Sequence, residues 1–140
     1  MDSSKDNILF ICKNNSSRSQ MAEAILNSIY GEKYNVFSGG LEPTNVNKYA
    51  IKSLKEINID ITENYSKNLD IFKNKEFKYV ITLCDDGKCP YFPNSEKNIH
   101  KSFKDPNRIE GNEEDIFNEF RKCRNEIKKW IIDMIENGVI

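Results

Sequence analysis

The apolar run Ile8-Leu9-Phe10-Ile11 passes directly into Cys12-Lys13-Asn14-Asn15-Ser16-Ser17-Arg18-Ser19, and then into the helix-forming stretch Ser19-Gln20-Met21-Ala22-Glu23-Ala24-Ile25-Leu26. Four consecutive apolar residues read as a short buried strand. This order commits the start of the chain to a strand, a tight polar loop and a helix. A loop that opens a helix from the end of a strand aims several backbone N–H groups at one point, where the helix dipole also favours negative charge. Cys12 and Arg18 frame that loop with five residues between them, a spacing that wraps a tetrahedral oxyanion around a thiolate. The planar Arg18 fork suits a doubly charged oxyanion, the same field favours the thiolate form of Cys12, and the Ser19 hydroxyl is placed to donate to that sulfur. Cys12 is therefore the candidate nucleophile and Arg18 the candidate clamp. Lys13, Asn14, Asn15, Ser16, Ser17 and Ser19 complete a candidate oxyanion-binding loop. The bland alternative is a buried cysteine with a surface arginine nearby.

The remainder alternates strand and helix with no repeat, low-complexity tract or linker, so residues 1–140 are expected to form one domain. Strands are expected at 7–12, at Tyr34–Ser38 ending at Gly39-Gly40, at Tyr79–Leu83 ending at Cys84, and weakly at 98–103. Helices are expected at 17–30, with Met21, Ala24, Ile25 and Ile29 inward, and at 46–57, with Ala50, Ile51, Leu54 and Ile57 on one face and a stop near Asn58. A short helix fits Asn68–Phe72, and the longest covers 112–136, with Ile116, Phe120, Cys123, Ile127, Trp130 and Met134 on one stripe. This alternation implies an α/β fold, a four-stranded parallel sheet with helices on both faces. Ligands of such sheets bind at the carboxyl ends of strands, where both Cys12 and Cys84 fall.

Composition narrows the function classes. With 21 Lys and Arg against 22 Asp and Glu, the net charge is −1, and neither a nucleic-acid nor a membrane partner is expected. The apolar runs are too short to span a bilayer. The polar start Met1-Asp2-Ser3-Ser4-Lys5-Asp6-Asn7 does not read as a signal peptide. A cytoplasmic location follows as the expectation, and there four cysteines suggest catalysis, redox work or metal binding before structural disulfides. Nothing in the surface pattern demands a dimer, so a monomer is expected.

The second constellation is Cys84-Asp85-Asp86-Gly87-Lys88-Cys89-Pro90, two thiols in a short polar loop after a strand. If Cys12 carries an oxidised adduct, Cys84 can attack it and Cys89 can then attack the mixed disulfide, leaving a transient, redox-active Cys84–Cys89 bond. Two inert thiols, or a zinc site recruiting His100 with Cys12 or Cys123, are the alternatives, although one cysteine pair alone is a weak zinc signal. Asp105, before Pro106, is placed either to protonate a leaving oxygen or merely to start a turn. Cys123 reads as a small buried hydrophobe, His100 as structural, and Glu110 to Asp115 as a solvated helix start.

These residues resemble the thioredoxin-coupled arsenate reductases built on the low-molecular-weight tyrosine phosphatase fold. The likeness runs through Cys12–Ala24, Ser38-Gly39-Gly40, Ile81–Cys84 with Cys89-Pro90, His100 before Phe103, Asp105-Pro106 and Gly111–Ile127. The Cys84/Cys89 pair, and Asn107-Arg108 where phosphatases carry two tyrosines, favour the reductase branch. The resemblance implies that Cys12 attacks arsenate while Arg18 and the loop hold it and Asp105 protonates the leaving oxygen. Cys84 then releases arsenite, Cys89 closes the disulfide and thioredoxin reopens it, with no cofactor and no metal. Two other readings stay in view: a phosphatase working through a Cys12 phosphoenzyme, and a non-catalytic oxyanion or zinc binder.

The chain also departs from the family pattern. Ser17 replaces a second loop cysteine, removing a side disulfide with Cys12. Asn14 stands where glycine is usual, and asparagine tolerates the left-handed backbone. The Cys84–Cys89 segment is shorter than usual. One branch of the family binds potassium through residues matching Asn15, Glu23 and Ser38 plus an aspartate. Lys67 takes the aspartate position, and its ammonium is expected to replace the ion.

Overall fold

The computed structural model describes residues 4–85 and 91–140. Its elements, in chain order, are β1 (Asp6–Cys12), α1 (Arg18–Tyr30), β2 (Tyr34–Gly40), α2 (Lys48–Lys55), a 3-10 turn at Leu69–Phe72, β3 (Phe77–Thr82), β4 (Ser95–His100), a 3-10 turn at Pro106–Arg108, and α3 (Glu113–Glu136). The strands form one sheet in the order β2-β1-β3-β4, and every pairing is parallel.

Side chains alternate across the sheet, and the core divides accordingly. Ile8, Phe10 and Ile81 join Met21, Ile25, Leu54, Phe120, Ile127 and Ile131 on the face covered by α1, α2 and α3. Leu9, Ile11 and Val80 join Leu69, Phe72, Phe77 and Phe92 on the other. There the Phe77 ring makes edge-on contacts with Phe37, Phe72 and Phe92, a geometry that adds to plain burial. Glu56, at the end of α2, ties that helix to α3 by accepting from Arg121 at 2.6 Å and Arg124 at 2.7 Å. The bonds from these two guanidiniums hold its carboxyl down to about 2.

The expected strands and helices are present with shifted bounds: β3 covers 77–82 rather than 79–83, and α2 covers 48–55 rather than 46–57. β2 ends at Gly40, as expected. β4 lies at 95–100, not 98–103, because its position is set by pairing with β3, which puts Ile99 opposite Ile81. Ile29 is 41% exposed, since the packed part of α1 ends at Leu26 and Asn27 and Ser28 are exposed too. The expected stop of α2 is borne out by Asn58, whose φ is +63°. α3 begins with a reciprocal cap: the Asn112 side chain accepts from the Asp115 N–H at 2.9 Å, and the Asp115 carboxylate accepts from the Asn112 N–H at 3.4 Å. No described helix is long and apolar enough to cross a membrane.

Candidate active site at the carboxyl end of the sheet

The loop after β1 is folded by its carbonyls. The Lys13 carbonyl accepts from the Glu42 N–H at 2.9 Å, that of Asn14 from Thr44 at 3.4 Å, and that of Ser16 from Asn47 at 2.9 Å. The Asn15 carbonyl accepts from the Ser66 hydroxyl at 2.8 Å. In a planar trans peptide the N–H of the next residue points the opposite way. Carbonyls turned out to these donors therefore leave the N–H groups of residues 14 to 17 turned inward, at the start of α1. A strand–loop–helix unit of this form can cradle an anion.

Asparagine does make the left-handed turn, but at Asn15 (φ +50°), not at Asn14. The buried Asn15 side chain then sets the hydrogen bonds around Cys12. Its oxygen accepts from the Lys67 N–H at 2.9 Å and from Gln20 at 2.9 Å, so its amide nitrogen is the end that donates to Ser19 Oγ, at 2.8 Å. With that donor pointing at it, the Ser19 hydroxyl is left to give its own proton to Cys12 Sγ, 2.8 Å away. The buried Ser17 hydroxyl, which starts α1, has no hydrogen-bond partner among the described residues, a state that costs about 1–3 kcal/mol when nothing polar occupies the site.

Gly40, at the end of β2, shapes the loop. It lies opposite Cys12 in the sheet, and a Cβ there would fall 2.7 Å from the Lys13 carbonyl oxygen and 2.8 Å from the Asn15 nitrogen. Gly40→Ala should push the loop off its seat and weaken inorganic phosphate binding by about 10²-fold, the scale of a misplacement near 1 Å. Titration calorimetry checks this.

Arg18 is 5% exposed. Its Nη1 donates to the Phe103 carbonyl at 3.1 Å and to Asp85 Oδ1 at 3.2 Å, while Nη2 faces Asp105 Oδ2 at 3.6 Å. Asp105 starts a turn, as one of its two readings had it: Oδ1 caps the Pro106–Arg108 turn through the Asn107 N–H at 3.0 Å, while Oδ2 faces Arg18. Asp85 Oδ2 accepts from Arg108 at 2.9 Å and from the Asp105 N–H at 3.2 Å. Burial pushes the Asp85 carboxyl up, but these bonds and the two guanidiniums outweigh it and hold the group below its usual range.

β1 and β3 are neighbours, with Ile11 opposite Thr82, and the Leu83 N–H donates to the Ile11 carbonyl at 2.9 Å. Cys84 therefore follows within about two residues of the level of Cys12, on an adjacent strand about 4.8 Å across. Its carbonyl accepts from Ser102 at 3.1 Å. Cys84 is buried and forms part of a disulfide, whereas Cys12 and Cys123 are free. The expectations placed on Cys89 and on its pairing fall outside the described residues. Burial pushes the Cys123 thiol up to about 12, in keeping with a small buried hydrophobe. His100 bonds Thr82 at 2.7 Å and Ser102 at 3.0 Å. It sits at the end of β4 as part of the scaffold behind Cys84.

The Lys67 ammonium lies 3.9 Å from Glu23 Oε1, and it donates to the Tyr65 carbonyl at 3.1 Å. Ser38 donates to the same Glu23 oxygen at 2.5 Å. Burial raises the Glu23 carboxyl against these two partners, and burial lowers Lys67 against the pull of Glu23. No group of three or more His, Cys, Asp or Glu among the described residues could hold a metal ion.

A family model described as low molecular weight phosphotyrosine protein phosphatase matches residues 7–138. An arsenate reductase of Halalkalibacterium halodurans is 39% identical over 133 residues, spanning 94% of this chain and 96% of that protein. An arsenate reductase of Bacillus licheniformis is 41% identical over 139 residues, spanning 96% and 99%. A solved structure described as an arsenate reductase in the oxidized state superposes with a TM-score of 0.77 at 30% identity, covering 94% of this chain and 98% of that one.

Proposed function

Since the chain belongs to the low molecular weight phosphotyrosine protein phosphatase family, and the relatives named above are arsenate reductases, we propose that it reduces arsenate to arsenite through Cys12, Cys84 and Cys89. The observation that carries this reading is a second cysteine, Cys84, at the end of the strand beside Cys12 and already bonded through sulfur. A simple phosphatase needs no such thiol.

Arsenate enters the loop, where the inward N–H groups, the Arg18 fork and the Ser17 hydroxyl, unpartnered among the described residues, receive its oxygens. The Ser19 hydroxyl steadies the Cys12 thiolate. The Cys12 sulfur forms a bond to arsenic as one oxygen leaves, and Asp105 gives that oxygen its proton. The Cys84 thiolate then attacks the Cys12 sulfur. A Cys12–Cys84 disulfide forms, the sulfur–arsenic bond breaks, and its electron pair passes to arsenic, which leaves as arsenite. Cys89 attacks Cys84, Cys12 departs as a thiolate, and a Cys84–Cys89 disulfide holds the two oxidising equivalents. Thioredoxin, as dithiol, reduces that disulfide and resets the cycle.

The same loop and Asp105 would serve phosphomonoester hydrolysis, the activity in the matching family's description. Here, Cys84 is the feature that chemistry leaves unused. The test is turnover of arsenate with NADPH, thioredoxin reductase and thioredoxin. Steady NADPH oxidation is expected that stops when thioredoxin is omitted. Equal turnover with glutathione and glutaredoxin in its place would contradict the choice of reductant.

A further inference from the structure

The seat of the substrate is already taken by an anion of the protein itself. Each terminal nitrogen of Arg18 faces a carboxylate, Asp85 Oδ1 at 3.2 Å and Asp105 Oδ2 at 3.6 Å. Asp85 is the nearer and the better held. Its side chain is 14% exposed, against 22% for Asp105, and its second oxygen takes the Arg108 guanidinium and the Asp105 N–H. Asp85 thus lies between two arginines, one buried in the oxyanion loop and one half-exposed at the rim. A doubly charged oxyanion cannot take the Arg18 fork while a carboxylate one residue away in the network holds it, because like charges in a partly buried site repel strongly.

Asp85 directly follows Cys84, and the chain on that side is pinned. The Leu83 N–H bonds Ile11, the Phe103 N–H bonds Leu83, and the Cys84 carbonyl accepts from Ser102. One peptide unit beyond that anchor lies the Asp85 carboxylate, next in the chain to a Cys84 whose sulfur is in a disulfide here.

We propose that Asp85 is an internal counter-anion that occupies the Arg18 clamp when Cys84 is oxidised, so that the oxidised protein rejects oxyanions until Cys84 is reduced. Arg108 is the rim cation that holds the latch shut. This rests on the reading of residues 12–19 as an oxyanion loop, and is independent of whether arsenate is the substrate.

The test is titration calorimetry with inorganic phosphate on the full chain. It compares wild type with Asp85→Asn, each fully reduced by dithiothreitol and each with Cys84 oxidised, the state verified by mass. Asparagine keeps the acceptor for the Asp105 N–H and removes the charge. Asp85→Ser is the second variant, and circular dichroism confirms that each is folded. Oxidised wild type should bind phosphate about tenfold or more weakly than reduced wild type, the scale of one lost charge-assisted contact. Either Asp85 variant should restore the oxidised form to within a few-fold of the reduced one. Oxidised variants that bind no better than oxidised wild type would overturn the latch, as would variants that bind more weakly in both states, the mark of a carboxylate that merely positions Arg18. Phosphate that binds no form of any protein would overturn the oxyanion loop itself, and the latch with it.

Discussion

Cys84→Ser should lose arsenate turnover to background, a drop of about 10⁴-fold or more, as removal of one member of a catalytic thiol or hydroxyl set does elsewhere. The physical reason is specific to the second step. Serine at 84 is a very poor nucleophile toward sulfur, so the sulfur–arsenic bond on Cys12 has no route to collapse into arsenite. Entry of the oxyanion should survive. The loop is built from residues 12–19 and held by residues 40–47 and 66–67, and the contact made by residue 84 with Ser102 is through its backbone carbonyl. Phosphate affinity of the reduced variant, measured by calorimetry beside the coupled turnover assay, should match that of reduced wild type. Retained arsenate reduction by Cys84→Ser would remove the relay.

Arg18→Lys should lower kcat/KM for arsenate by about 10²–10³-fold, the usual cost of losing one preorganised charge-stabilising donor. Lysine keeps the charge but not the fork. The buried guanidinium is anchored by the Phe103 carbonyl, and one ammonium on a flexible stem cannot keep that anchor and also present two parallel N–H groups to an oxyanion. The loss should be shared between KM and kcat, because the oxyanion gains charge on its leaving oxygen as the Cys12 bond forms. A melting curve close to wild type would show that the defect lies in the site and not in the core. A variant within threefold of wild-type kcat/KM would mean that the backbone cradle alone binds the oxyanion.

Legibility from sequence followed the range of the interactions. The Cys12–Arg18 loop is local, so its spacing, the strand before it and the helix after it could all be read along the chain, and the Ser19 contact to Cys12 was among the expectations. Strands β1 and β3 announce themselves because both faces are buried. β4 does not, since Ser95-Glu96-Lys97-Asn98-Ile99-His100 is a polar edge strand with one apolar residue to fix its register. The left-handed residue was misplaced by one position, at Asn14 instead of Asn15, because the chain offers two adjacent asparagines and only tertiary bonds from Gln20 and Lys67 choose between them. The role of Gly40 depends on how close β2 comes to the loop, which no local pattern records. The Arg18–Asp85–Arg108 network joins residues 67 and 23 positions apart, and in the sequence Asp85 is one more polar residue in a polar loop.

The most direct test of the central claim is a single turnover without any reductase partner. Fully reduced protein is mixed with arsenate, arsenite is quantified, and disulfides are mapped by mass spectrometry over the same time course. The three-cysteine account predicts one arsenite per chain, formed in step with a Cys84–Cys89 disulfide while Cys12 and Cys123 end as free thiols. Arsenite released with Cys84 and Cys89 both still reduced, or no arsenite and no disulfide at all, would contradict it.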